Sequence, residues 1–287
     1  VTITAPNGLD ILKKTLAKIP VNYDTSDVRF TAFYREHVWL EDFELAFSEA
    51  VLNIYKTFKT EKKLNDQFSI IKGRKKSIDY GREGQLYYWM SGASNGVRGS
   101  LSEDMVKYNR AKWSPFNPAN FKHYDYEYAE SIKDGNSTLI VLNIVPKKNS
   151  RKGILLMKVF IDEESLAIVK YNFELSKQGI RFVSRKDQGI LYAIMTKIVH
   201  ATRDYHKFQY TVSYSQHNSK WYLKRVTRHW EILVNSKKRN WVDKLWIADM
   251  DLIMTDINTE NVKPISEGNI SETKGPIHSD ISAVFDQ

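Results

Sequence analysis

Apolar and polar side chains alternate with a period of two over most of this chain. Successive side chains of an extended backbone point to opposite faces, so this pattern suits a sheet buried on one side and wet on the other. Val28, Phe30, Ala32 and Tyr34 alternate with Arg29, Thr31, Phe33 and Arg35. A second strand is predicted over about Leu45 to Tyr55, with Ala46, Ala50, Leu52 and Ile54 on one face. Trp39-Leu40-Glu41-Asp42 reads as the turn of the hairpin, and Phe68 to Lys72 as a short third strand.

The clearest run follows. Tyr124 to Tyr128, Leu139 to Val145, Gly153 to Ile161 and Ala167 to Leu175 are predicted strands. They are joined by Asp134-Gly135-Asn136, the basic Lys147–Lys152 stretch and Asp162-Glu163-Glu164-Ser165, the arrangement of an antiparallel meander. Phe208, Tyr210, Val212 and Tyr214 alternate with polar neighbours, and a turn at His217-Asn218-Ser219-Lys220 leads into Trp221 to Val234. A last strand is expected over Trp241 to Ile257. Residues 188–204 fit a helix through Ile190, Leu191, Ile194, Ile198 and Ala201, while Ile198-Val199 also fits a strand.

Leu9, Leu12, Leu16 and Ile19 recur at helical spacing behind Asn7, an N-cap residue, which predicts a helix over about 8–19 that Pro20 stops. Five glycines and two prolines over residues 81–122 predict a long, shaped loop, with a short helix from Ser102 to about Arg110. Aromatic residues make up 13% of the chain, which favours the pleated, half-buried surfaces of strands. The expected architecture is mainly β, a curved antiparallel sheet with a few covering helices. Residues 1–257 are read as a single domain, and 258–287 as a polar tail or the stub of a continuation. The start at Val1, without a methionine or leader, reads as an excised or processed fragment.

The net charge of +9 would attract phosphate-rich surfaces, so its distribution decides its meaning. Lys72–Ser77, Lys147–Lys152 and Asn235–Asn240 are short clusters with Gly, Asn or Ser between apolar runs, the marks of solvated hairpin tips. No nucleic-acid partner is therefore expected. No stretch approaches the roughly 18 apolar residues of a membrane helix. Without cysteine there are no disulfides or thiolate nucleophiles.

Catalytic patterns are missing as well. No two of the seven histidines have the spacing of a helical zinc site, and His200, Asp204 and His206, the densest group, suit a strand end. Gly92, Gly96 and Gly99 lack the Lys-Ser or Lys-Thr of a phosphate loop, and no Gly-x-Ser-x-Gly elbow occurs. The paired acids Glu41/Asp42, Glu103/Asp104 and Glu163/Glu164 read as water-facing turns. Asn136 and Asn269 begin glycosylation sequons, a pattern common by chance. Neither an enzyme nor a cofactor or metal site is expected.

Some segments are familiar in order: the helix ending Lys18-Ile19-Pro20, Phe33-Tyr34-Arg35-Glu36, Ser48 to Tyr55, Ile71 to Lys75, Tyr124-x-Tyr126-x-Tyr128, and Gly153 to Ile168. Over most of residues 6–257 the chain resembles the region after the N-terminal sandwich in carboxypeptidase-like regulatory domain-containing proteins of Gram-negative envelopes. Gly92-Ala93-Ser94 departs from the tighter glycine pair expected there. The Gly-led strand ending Ile161-Asp162-Glu163 and the following Ala167-Ile168 strand are also similar to lipoprotein-carrier proteins. That resemblance implies a half-barrel cupping an apolar ligand, and a periplasmic or outer-membrane-associated location.

Tyr171, Phe173, Phe208, Tyr210, Val212, Tyr214, Tyr222 and Trp230 are the ligand-facing candidates, able to line a concave sheet and hold a lipid or hydrophobic peptide. The same alternation is what a plain core under helices requires. The expectation is a non-enzymatic envelope binding module, with a structural or protein-interaction domain of a larger outer-membrane-associated protein as its rival.

Overall fold

A computed structural model describes residues 6–57, 66–76, 96–148, 150, 152–187 and 190–265. Gly81, Gly84 and Gly92 of the expected loop, the Asn269 sequon and the tail from 266 lie outside the described residues. The fold is mainly β, as the alternation predicted. The strands are β1 (Val28–Leu40), β2 (Phe43–Lys56), β3 (Gln67–Lys76), β4 (Tyr124–Asp134) and β5 (Ser137–Pro146). They continue with β6 (Leu155–Asp162), β7 (Ile168–Leu175), β8 (Thr202–His217), β9 (Lys220–Ser236) and β10 (Trp241–Asn258). Hydrogen bonds order them β3-β2-β1-β10-β9-β8-β7-β6-β5-β4 in an open antiparallel sheet. Backbone contacts divide the chain into two compact units.

The first unit comprises Val1–Thr25, Glu103–Phe182 and Gln209–Arg225. Its β4 to β7 form the expected meander. Leu142, Val159, Tyr171 and Val212 face one another across β5 to β8 on the buried side. Gly135 and the pair Asn218-Ser219 take positive φ in their two-residue turns, the geometry that matches strand twist in tight hairpins. Helix α1 (Gly8–Ala17) is capped by the Asn7 side chain and contacts β4. Pro20 does not stop the helical path; it sits in the first turn of a four-residue helix, α2 (Ile19–Asn22), where its missing N–H costs nothing.

The second unit comprises Ser26–Ser102, Val183–Phe208 and Val226–Gln287. Every even position of β1 from Val28 to Val38 is buried, and so is every even position of β9 from Val226 to Ser236. Helix α3 (Gly96–Ser102) ends where a helix was expected to begin. Ser102 donates to the Gly99 carbonyl behind it instead of capping a helix ahead, and 103–110 continue as turns. Lys72–Lys76 belong to β3 and not to a turn, because Arg74 and Lys76 pair with Glu49 and Glu44 across the strands. Residues 190–199 resolve as a helix, α5 (Ile190–Val199). Helix α4 (Lys177–Asp187) had no sequence counterpart.

Gly8 marks how closely α1 approaches β4: a β-carbon there would stand 2.5 Å from the Tyr126 carbonyl oxygen. Gly8→Ala is expected to lower stability by about 1–3 kcal/mol, the range for overpacking. Urea denaturation measures it, and an unchanged midpoint would show that α1 is not seated as described.

Candidate functional site

The eight candidate residues fall into two groups. Tyr171 and Phe173 on β7, Tyr210, Val212 and Tyr214 on β8, and Tyr222 on β9 belong to the first unit; Phe208 and Trp230 belong to the second. All are buried except Tyr210, which is half-buried.

In the first unit, antiparallel register brings five of the six together. Phe173 stands opposite Tyr210, with rings stacked at 4.3 Å and parallel within 4°. Tyr171 stands opposite Val212, and its ring lies 6.2 Å from that of Tyr214. Phe116 and Tyr23 meet Tyr171 and Tyr214 edge-on. Tyr222 has a separate partner, the Asp24 carboxylate, to which its hydroxyl donates at 2.9 Å.

The cover over these rings is held by polar bonds. Tyr171 Oη donates to the Glu103 carbonyl at 2.6 Å and accepts the Met105 N–H at 2.7 Å. Tyr214 Oη donates to Asp104 Oδ1 at 2.6 Å, and the same oxygen accepts the Lys107 N–H. Burial, reinforced by the charge of Asp104, pushes both phenols well above their ordinary pKa. They are therefore fixed donors at neutral pH, with no capacity for base catalysis. Asp104, which the sequence placed in a water-facing turn, is 1% exposed. Its apolar neighbours Met105 and Val106 were the readable signal of burial.

In the second unit, Phe208 packs 5.0 Å from Trp230, and the Arg228 guanidinium lies 4.6 Å over the Trp230 ring. Arg228 and Glu36 share the buried side with Tyr34 and both act on its phenol. Burial raises that pKa first, Glu36 adds to the rise and Arg228 opposes it. Both charged residues were legible: Glu36 falls in the even run after Tyr34, and Arg228 in the even run before Trp230.

On the opposite face of that unit His229 bridges two carboxylates, with Nδ1 2.6 Å from Asp249 and Nε2 2.9 Å from Glu231. Carboxylates only accept, so both contacts require the doubly protonated ring. Lys207 reaches Glu231 at 3.2 Å, and His206, from the sequence-level histidine group, stands 3.8 Å from it. His200 instead offers its carbonyl to Ser236. Among the described residues no group of His, Asp or Glu is arranged to hold a metal ion.

The sequence matches no protein-family model and no curated protein. Among solved structures, it is similar to a Vibrio parahaemolyticus domain described as an outer membrane lipoprotein-sorting protein. The identity is 12%, 91% of this chain and 94% of that one are covered, and the TM-score is 0.36. A DUF1329 family protein from Desulfovibrio piger has 9% identity, coverage of 91% and 96%, and a TM-score of 0.34. A LolA superfamily protein from Nitrosomonas europaea has 10% identity, coverage of 90% and 96%, and a TM-score of 0.28. At these values the functional reading rests on the chain's own residues.

Tyr214→Phe takes one donor from the buried Asp104 carboxylate and is expected to cost about 1.5–3 kcal/mol, and Tyr171→Phe removes two neutral bonds at about 0.5–1.5 kcal/mol each. Urea midpoints measure both, and an unchanged midpoint for Tyr214→Phe would contradict the charged bond.

Burial works against the His229 imidazolium, but the bonds to Glu231 and Asp249 outweigh it and raise its pKa above the usual 6.5. The stabilisation is therefore complete below that value and is lost as pH rises through the higher folded-state value. Against His229→Gln, the wild-type advantage in urea midpoint should shrink on passing from acid to alkaline pH. Parallel pH profiles would exclude this role.

Proposed function

We propose that the chain is a non-enzymatic binding module of the cell envelope that takes an apolar ligand, an acyl chain or hydrophobic peptide, against the buried face of its first unit. The observation that carries this reading is the way that face is closed. Tyr171 and Tyr214, in a set of five aromatic and aliphatic side chains, hold a turn-rich segment through three hydroxyl bonds at Glu103, Asp104 and Met105.

Such bonds contribute about 0.5–1.5 kcal/mol each, somewhat more at a carboxylate, and the buried side chains of Met105, Val106 and Phe116 in the same segment add about 1.5–3 kcal/mol each, so releasing it costs about 8–12 kcal/mol. Apolar burial returns about 25 cal/mol per Å2, so a ligand must cover about 300–500 Å2 of apolar surface to offset that cost. Cover and ligand are then close competitors for one face. Tyr210, half-buried and stacked on Phe173, is the point of first contact. The envelope placement comes from the sequence resemblance over residues 6–257, to carboxypeptidase-like regulatory domain-containing proteins and to lipoprotein carriers.

Native mass spectrometry and solvent extraction of purified protein test the proposal. Extractable acyl-chain species are expected, and Tyr214→Phe, by loosening the cover, should increase uptake of an environment-sensitive apolar dye. A chain that carries nothing and takes up no dye in either form would refute it. A stable envelope-protein partner without lipid would favour the structural or interaction role instead.

A further inference from the structure

The second unit gathers its exposed apolar side chains at one end. Strands β1 and β10 are antiparallel with Leu40 opposite Trp246, so the β1–β2 turn and the start of β10 lie together. Glu41, at a φ of 55°, braces the first turn: its N–H donates to the Leu245 carbonyl at 2.7 Å, and its carboxylate accepts the Leu245 N–H at 2.6 Å. The β9–β10 turn is held as firmly. Asp243, also left-handed, donates its N–H to Asn235 Oδ1 at 2.9 Å and accepts from Asn235 Nδ2 at 3.1 Å. Arg239 donates to the Val199 carbonyl at 2.7 Å and Ser236 to the His200 carbonyl at 2.6 Å, which seats the C-terminal end of α5 against the same turn.

These braced turns hold apolar side chains out in water. Phe43 is 60% exposed and Val242 76%, and on α5 Ile194 and Ile198, one helical turn apart, are 48% and 50% exposed. Among the described residues of this unit, the one other large apolar side chain so exposed is Ile71, on β3. Single exposed apolar residues are ordinary, but four gathered at one end from three separate elements form a patch. Cations are interleaved with them. Lys197 lies between Ile194 and Ile198 in α5, Lys237 and Lys238 precede Val242, and all three are exposed. With Arg239 and Lys244 they outnumber the acids of this end, Glu41, Asp42 and Asp243.

Apolar tips set among cations narrow the partner. An anionic bilayer presents phosphate at its surface and hydrocarbon just beneath it, so it satisfies both kinds of side chain at once and yields around tips that project singly. Trp241, half-buried with the Arg239 guanidinium 5.3 Å over its ring, is the kind of aromatic residue that the headgroup level favours. Docking would cost little ordering, because side-chain bonds already fix both turns. We propose that this end of the second unit docks on an anionic lipid surface. Phe43, Val242, Ile194 and Ile198 enter the headgroup layer, and Lys197, Lys237 and Lys238 meet its phosphates. The proposal stands whether or not the first unit carries a ligand.

Co-sedimentation of the full chain with vesicles of phosphatidylcholine, alone or mixed with phosphatidylglycerol, tests the proposal. Pelleting with the mixed vesicles, weakened by salt, is expected. Lys237→Gln together with Lys238→Gln should lower the affinity about 30-fold, about fivefold for each cation. Phe43→Ser together with Val242→Ser should lower it about tenfold or more, and Ile71→Ser should leave it unchanged. A Val242→Cys chain carrying an environment-sensitive dye reports insertion directly: its emission should rise with the mixed vesicles, and that of an Ile71→Cys chain should not. Equal pelleting with neutral vesicles, none with either, or binding that survives the Phe43 and Val242 substitutions overturns the proposal. A chain that binds no vesicles and self-associates through these residues assigns the end to a second copy and overturns it too.

Discussion

Cross-strand register is the constraint on which everything else in this protein depends. Each strand has two chemically different faces, so sliding one strand by a single residue exchanges them. In β10, Trp246, Ala248, Met250 and Leu252 are buried while Asp249 and Asp251 are not. A one-residue slip would drive both carboxylates into the core and expose the apolar set, an error far larger than the stability of an ordinary domain. Where strands β1 and β2 depart from strict pairing, at Thr31/Ala32, Val38/Trp39 and Val51/Leu52, bulges absorb the extra residue and restore the faces.

Polar groups on the buried faces then acquire definite tasks. A buried hydroxyl or carboxylate must find a partner, and in the first unit Tyr171 and Tyr214 find theirs in the segment that covers them. The result is an apolar surface closed by directional bonds together with the packed side chains of Met105, Val106 and Phe116. Residues that face away from the aromatic set, among them Asn172, Glu174, Gln209 and Thr211, stand in rows because the strands pair in order.

The strands were legible because a period of two is a local signal. Asn218-Ser219 and Gly135-Asn136 announce their turns, and the even runs of β1 and β9 announce their buried faces. Other features depended on contacts distant in sequence. Ser102 looks like an N-cap ahead of two acids, yet Asp104 is recruited by Tyr214, 110 residues away, and the segment follows that bond into turns. The basic run at Lys72 reads as a hairpin tip until Glu44 and Glu49 supply cross-strand partners, after which it extends β3. Helix α4 is polar on average but strongly amphipathic, a periodicity that went unread, and Ser176, whose hydroxyl accepts the Gly179 N–H, is a second local sign. Register puts five of the eight candidates on one face of the first unit, and the bonds of Tyr171 and Tyr214 depended on where residues 103–116 fold back.

The chain has no native cysteine, so single-cysteine variants report cleanly on each position. Labelling rates measured residue by residue from Ile247 to Ile253 on β10 test the two-faced register most directly. Fast labelling at Ile247, Asp249, Asp251 and Ile253, alternating with protection at Ala248, Met250 and Leu252, is the expected pattern. Rates that rise and fall every three to four residues, or that do not alternate at all, would contradict the account.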